Sequence, residues 1–72
     1  MNNNKKIRHG SINIVKLREL RREKGWTQAE LDKAADVGYR TTANAEAGLN
    51  ITVATLRAFA RVFRVHPAYF LD

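Results

Sequence analysis

The residue types that carry catalysis or hold metals are sparse in this chain. Its 72 residues include no cysteine and two histidines, His9 and His66, which stand far apart with no acidic cluster beside either. Neither a zinc site nor a disulfide is expected, and no redox compartment is implied. No nucleophile–base pair and no glycine-rich phosphate loop can be picked out, so the expectation is a protein that is not an enzyme and uses no cofactor or metal. Its chemical resource is positive charge. The formal charge is +6, and the whole excess falls in residues 1–24, where Lys5, Lys6, Arg8, Lys16, Arg18, Arg21, Arg22 and Lys24 face only Glu19 and Glu23. Bases and acids balance over residues 25–72. A clustered positive field draws polyanions and speeds encounter with nucleic acid. A basic tail next to a solvated helix face would give the same charge pattern.

In a chain this short, one domain at most must position these groups, with a modest core and marginal stability. No apolar run approaches the roughly 18 residues of a membrane span, and MNNNKKIRHG lacks the apolar stretch of a secretory signal. A soluble cytoplasmic protein is expected, with no membrane contact. Residues 1–11 are polar and asparagine-rich and read as a flexible basic arm, leaving 12–72 as the folded domain. Five helices are expected, near 13–24, 28–35, 39–47, 53–63 and 67–71, with no strand-like alternation. Asn13 suits an N-cap and Gly25 a helix stop. Thr27 and Glu30 form the pattern of a capping box, in which each side chain satisfies the other's backbone N–H. Gly38 sits in the turn before the third helix, where backbone freedom would be useful, and Gly48 ends that helix. Thr52 caps the fourth, whose Val53, Leu56, Phe59, Ala60 and Phe63 make the strongest apolar stripe. Pro67 suits the first position of a short fifth helix. The third helix is almost bare of apolar side chains, so its neighbours must hold it, and its outer side is free to meet something else. Helix, short turn, helix is the arrangement that lays a second helix in the DNA major groove.

The flanks make this pattern specific. LRELRREKGWTQAEL (17–31), the Glu46-Ala47-Gly48 ending and TLRAFARVFRVHPAYFLD (55–72) resemble the Cro/repressor-type helix-turn-helix family, often called Xre-family regulators, over roughly residues 13–71. The resemblance implies an all-α, compact five-helix lambda-repressor-like domain that binds double-stranded DNA. By position, Thr27 and Gln28 match places that face the DNA backbone, where free N–H groups and the helix dipole favour a phosphate. Tyr39, Arg40, Ala43 and Asn44 match base-reading positions, with Thr41 beside the backbone. Arg40 is suited to guanine and Asn44 to adenine, each through two hydrogen bonds; Ala43 and Tyr39 could meet a thymine methyl, and Tyr39 equally a phosphate. Arg21 falls on the apolar side of the first helix and needs a partner there. Glu46 is the candidate, as in other family members, although snorkelling to water is the alternative.

Four positions depart from the family pattern. Asp32 stands where a small buried alanine is usual, Asp36 where the turn glycine is usual, and Thr42 and Ala45 where larger apolar residues anchor the third helix. Asp32 is free to cap or to pair with Arg40, and Trp26, Phe59, Phe63 and Phe70 to fill the lost volume.

Two accounts of function follow. The first is a sequence-specific transcriptional regulator, a repressor acting as a homodimer on a two-fold operator. Its half-sites would lie about one helical turn (34–36 Å) apart, with Lys5, Lys6 and Arg8 adding phosphate or minor-groove contacts. Val62, Tyr69 and Leu71 are then candidates for the dimer surface, and the protein would be nucleoid-associated when bound. The second is a degenerate helix-turn-helix that has lost base reading and docks a protein partner, for example a toxin or an effector domain.

Overall fold

The computed structural model describes residues 12–71. Lys5, Lys6 and Arg8, expected to contact DNA from the arm, lie outside the described residues, and so does His9. Four α-helices follow in order: α1 (Ile14–Glu23), α2 (Gln28–Ala35), α3 (Thr41–Glu46) and α4 (Val53–Phe63). A single 3₁₀ turn, Pro67–Phe70, closes the described chain. No helix among the described residues is long and apolar enough to cross a membrane.

Local chemistry sets most of the helix ends. Asn13 caps α1 by accepting the Lys16 N–H at 3.1 Å, and Gly25 follows it at φ +73°. At α2 the Thr27 hydroxyl accepts the Glu30 N–H at 3.1 Å while the Glu30 carboxylate accepts the Thr27 N–H at 2.8 Å. Thr52 caps α4 by accepting the Thr55 N–H at 3.1 Å.

Three expectations are corrected. The third helix, expected over 39–47, begins only at Thr41, because Arg40 takes a left-handed conformation (φ 72°, ψ 6°) that ends the turn rather than starting the helix. Gly38 is not the left-handed residue of that turn; Asp36 (φ 57°) and Arg40 carry those conformations. The expected short fifth helix, 67–71, is a single 3₁₀ turn, Pro67–Phe70. Its Tyr69 and Leu71 N–H groups donate to the carbonyls of His66 and Ala68, three residues back, the bonding pattern of a 3₁₀ turn.

Leu17 of α1, Leu31 of α2, Phe59 of α4 and Phe70 of the 3₁₀ turn are wholly buried and form the centre of the core. Trp26 leans on Phe63 with ring centroids 6.0 Å apart, and the Asn13 N–H donates to the Phe70 carbonyl, tying the start of α1 to the last turn. α3 lies against α2 and α1, with Thr42 and Ala45 fully buried beneath it. With no larger apolar side chain of its own to bury, a six-residue helix needs another anchor.

Candidate functional site

Two carboxylates supply that anchor, one at each end of α3. Asp32, on α2, is 5% exposed. Its Oδ2 accepts the Arg40 N–H at 2.8 Å and its Oδ1 accepts the Thr42 N–H at 2.7 Å. α3 makes no side-chain cap of its own, so Asp32 satisfies two N–H groups that the start of a helix leaves open. Its contact with Arg40 is to the backbone, leaving the guanidinium out of the bond.

At the other end, Glu46 is 4% exposed and gathers α1 and α2 onto α3. Its Oε2 lies 2.7 Å from Arg21 Nε, and its Oε1 accepts from Arg21 Nη2 at 3.0 Å. Gln28 Nε2 donates to Oε1 at 2.9 Å and Arg18 Nε at 3.3 Å. Arg21 Nη1 also reaches the Trp26 carbonyl at 2.9 Å, so its fork is filled on both sides, the geometry in which a buried ion pair is stable. Burial alone would raise the Glu46 carboxyl's pKa, but the hydrogen bonds from Arg21, Gln28 and Arg18 together with the Arg21 charge outweigh it and hold the group below its ordinary value. The hydrogen bond to Glu46 correspondingly raises Arg21, against the opposing effect of burial.

With its inner side clamped, α3 and the turn before it leave Tyr39, Arg40 and Asn44 outward. Tyr39 is 83% exposed, Arg40 and Asn44 are exposed, and Ala43 and Thr41 are half-buried. Gln28, Ala29, Asp32, Tyr39, Arg40 and Ala43 line one shallow concavity of about 120 Å³ between α2 and α3. Three of the four residues matched to base reading thus share one surface, and Asn44 lies one helical turn beyond Arg40, whose carbonyl accepts its N–H at 2.9 Å. Thr27 is exposed at the near end of α2. Gln28 is half-buried and spends its amide on Glu46, so its side chain serves the fold as well as this surface. Away from it, Val62 packs against the core, while Tyr69 and Leu71 are 38% and 44% exposed. Lys16 Nζ sits 4.6 Å over the Tyr69 ring.

Sequence reasoning did not find Arg18 or Gln28 as partners of Glu46. A signal existed for Arg18, which precedes Arg21 by one helical turn and therefore shares its side of α1. None existed for Gln28, whose contact depends on how α2 crosses α3. The same contacts bear on the charge pattern, because Arg18 and Arg21 are committed inward and less of the basic excess is free at the surface. Among the described residues no cluster of His, Asp or Glu could hold a metal ion.

A family model described as helix-turn-helix matches residues 17–70, which takes in every element from the middle of α1 to the 3₁₀ turn. No curated protein and no solved structure matches the chain.

Proposed function

The chain belongs to the Cro/Xre-type helix-turn-helix regulators, and on that premise we propose that it is a sequence-specific repressor that acts as a dimer on a two-fold operator. The observation that carries this is the outer surface of α3 and its preceding turn. Tyr39 and Arg40 in the turn and Asn44 on the helix stand exposed there, and two buried carboxylates hold the helix at its two ends. A rigid, polar, outward helix is what major-groove reading needs. Side chains must arrive at base edges in one geometry, and each well-placed pair of hydrogen bonds is worth about 1–3 kcal/mol of discrimination. In this reading Arg40 takes a guanine and Asn44 an adenine, Ala43 and Tyr39 meet a thymine methyl, and Thr27, Gln28 and Thr41 contact phosphates. The arm residues Lys5, Lys6 and Arg8 add charge contacts, and Tyr69 and Leu71, with the edge of Val62, form the contact between copies. The protein then works in the cytoplasm on the nucleoid.

The test is selection from a random duplex pool at near-physiological salt. An enriched inverted repeat, relaxed at one position of each half-site by Arg40→Ala, is expected. Affinity should fall steeply with salt, because each phosphate contact releases counterions. No enrichment by folded protein would overturn base reading and leave the polar face of α3 to a protein partner.

A further inference from the structure

Arg40 is both the proposed reader of guanine and the residue just before α3, and its backbone conformation is unusual for that place. With φ at 72° it is left-handed, a region that side chains other than glycine, asparagine and aspartate seldom enter. Two hydrogen bonds fix it there. Its N–H donates to Asp32 Oδ2 at 2.8 Å, and its carbonyl accepts the Asn44 N–H at 2.9 Å. The Thr42 N–H, two residues on, goes to the other oxygen of the same carboxylate at 2.7 Å. One bidentate acid, 5% exposed, therefore grips both sides of the peptide units that decide where the Arg40 Cα–Cβ bond points. The Arg40 side chain itself is exposed, so the direction in which it leaves the chain is set by this backbone conformation. With those two N–H groups occupied by a carboxylate, α3 presents side chains to DNA rather than its helix end.

We propose that Asp32 is the positioning residue for base reading at Arg40: it touches no DNA, yet it determines specificity at the base pair Arg40 reads. The proposal rests on the base-reading role given to Arg40 above. It separates Asp32 from Glu46, which holds the far end of α3 through side chains and contacts no backbone N–H of the turn. Asp32→Asn is the informative change. It keeps size and one acceptor oxygen but turns an NH₂ donor against a backbone donor, so one of the two grips is lost without opening a cavity.

The experiment compares duplex selection by the wild-type protein, Asp32→Asn, Arg40→Ala and the double variant. Helicity and Trp26 fluorescence report the folded fraction. Asp32→Asn is expected to enrich the same motif except at the base pair that Arg40→Ala relaxes. There its preference should fall by about tenfold, within the range one bidentate contact supplies, and the double variant should lose no more than Arg40→Ala alone. A uniform fall across all positions, or an unchanged motif, would show Asp32 to be a stabilising cap only and overturn the proposal. If Asp32→Asn does not fold, Asp32→Glu is used, which keeps both oxygens and moves them by one methylene. It should alter preference at that same base pair, and an unaltered motif overturns the proposal. Enrichment by the wild type with no position relaxed by Arg40→Ala overturns this proposal while the regulator reading stands. No enrichment by the wild type overturns both.

Discussion

Asp32 Oδ1 lies 2.7 Å from the Thr42 backbone nitrogen, a carboxylate of one helix capping the next at a site where both residues are buried. The helix N-cap is ordinarily local, supplied by the residue just before the helix. Here that residue is a left-handed arginine with no capping side chain, and the cap comes from eight residues upstream. Removing it leaves the N–H groups of Arg40 and Thr42 without their acceptor, the latter fully buried. Asp32→Ala should therefore cost about 2–3 kcal/mol, more than the roughly 1 kcal/mol typical of an exposed cap. Urea unfolding followed by the single tryptophan, Trp26, would measure it; a loss under about 1 kcal/mol would mean that solvent reaches those N–H groups.

Thr42 carries the opposite liability. It is wholly buried, and its Oγ1 has no hydrogen-bond partner. The hydroxyl has lost water and gained nothing in return. Thr42→Val keeps the shape, the β-branch and the backbone N–H that Asp32 needs, and removes only the orphaned oxygen. The expected gain is about 1 kcal/mol, read as a higher midpoint in the same urea titration with an unchanged slope. A destabilised variant would show that the hydroxyl is satisfied in solution.

The limits of sequence reading follow the same division between local and crossing contacts. Asn13, Thr27 with Glu30, Thr52 and Gly25 each act within a few residues of themselves, and the starts of α1, α2 and α4 and the stop of α1 were legible from them. The start of α3 was not, because nothing in Tyr39-Arg40-Thr41 signals a left-handed arginine. In that conformation its N–H meets the Asp32 carboxylate on α2, a contact between elements. The proposed reading surface shared the difficulty. Four of the residues that share the concavity between α2 and α3, Gln28, Tyr39, Arg40 and Ala43, could be named by family position, yet Tyr39 and Arg40 project from a turn instead of the helix, and Gln28 is turned toward Glu46. Side chains that answer to a partner on another helix cannot be oriented by their neighbours in sequence.

Two of the glycines near the helix-turn-helix, Gly25 and Gly38, should respond oppositely to alanine. Gly25 sits at φ +73° with open space around a would-be Cβ, so its only obstacle is backbone strain. Gly25→Ala should cost about 1–2 kcal/mol. Gly38 has no such φ, and a Cβ there would meet Thr41 Oγ1 at 3.6 Å, an ordinary contact. Gly38→Ala should be neutral or stabilise by up to about 1 kcal/mol, since alanine reduces the freedom of the unfolded chain. Thermal melts of the two variants side by side decide this. A melting point lowered by Gly38→Ala would place that residue in a conformation other than the one described.

Glu46 ties the stability of the domain to pH. Its carboxyl is held below the ordinary value of 4.5, so the unfolded chain binds the proton more readily than the folded one. Stability must therefore rise with pH through this window. The contribution is fully present at neutral pH, above the unfolded value, and is lost as pH falls through the lower folded value. Glu46→Gln removes the charge while Arg21 stays 11% exposed at its side chain, leaving a guanidinium without its counterion. Breaking one partner of such a pair costs about 3–5 kcal/mol, and a domain of this size has few to spare. The gap between wild type and Glu46→Gln should be widest near pH 7 and narrow steadily below about pH 4.5, as protonation brings the wild type toward the variant. Urea midpoints of both proteins from pH 7 to pH 3 test it. A gap that stays constant across that range would show that the loss comes from packing around Glu46 and not from its charge.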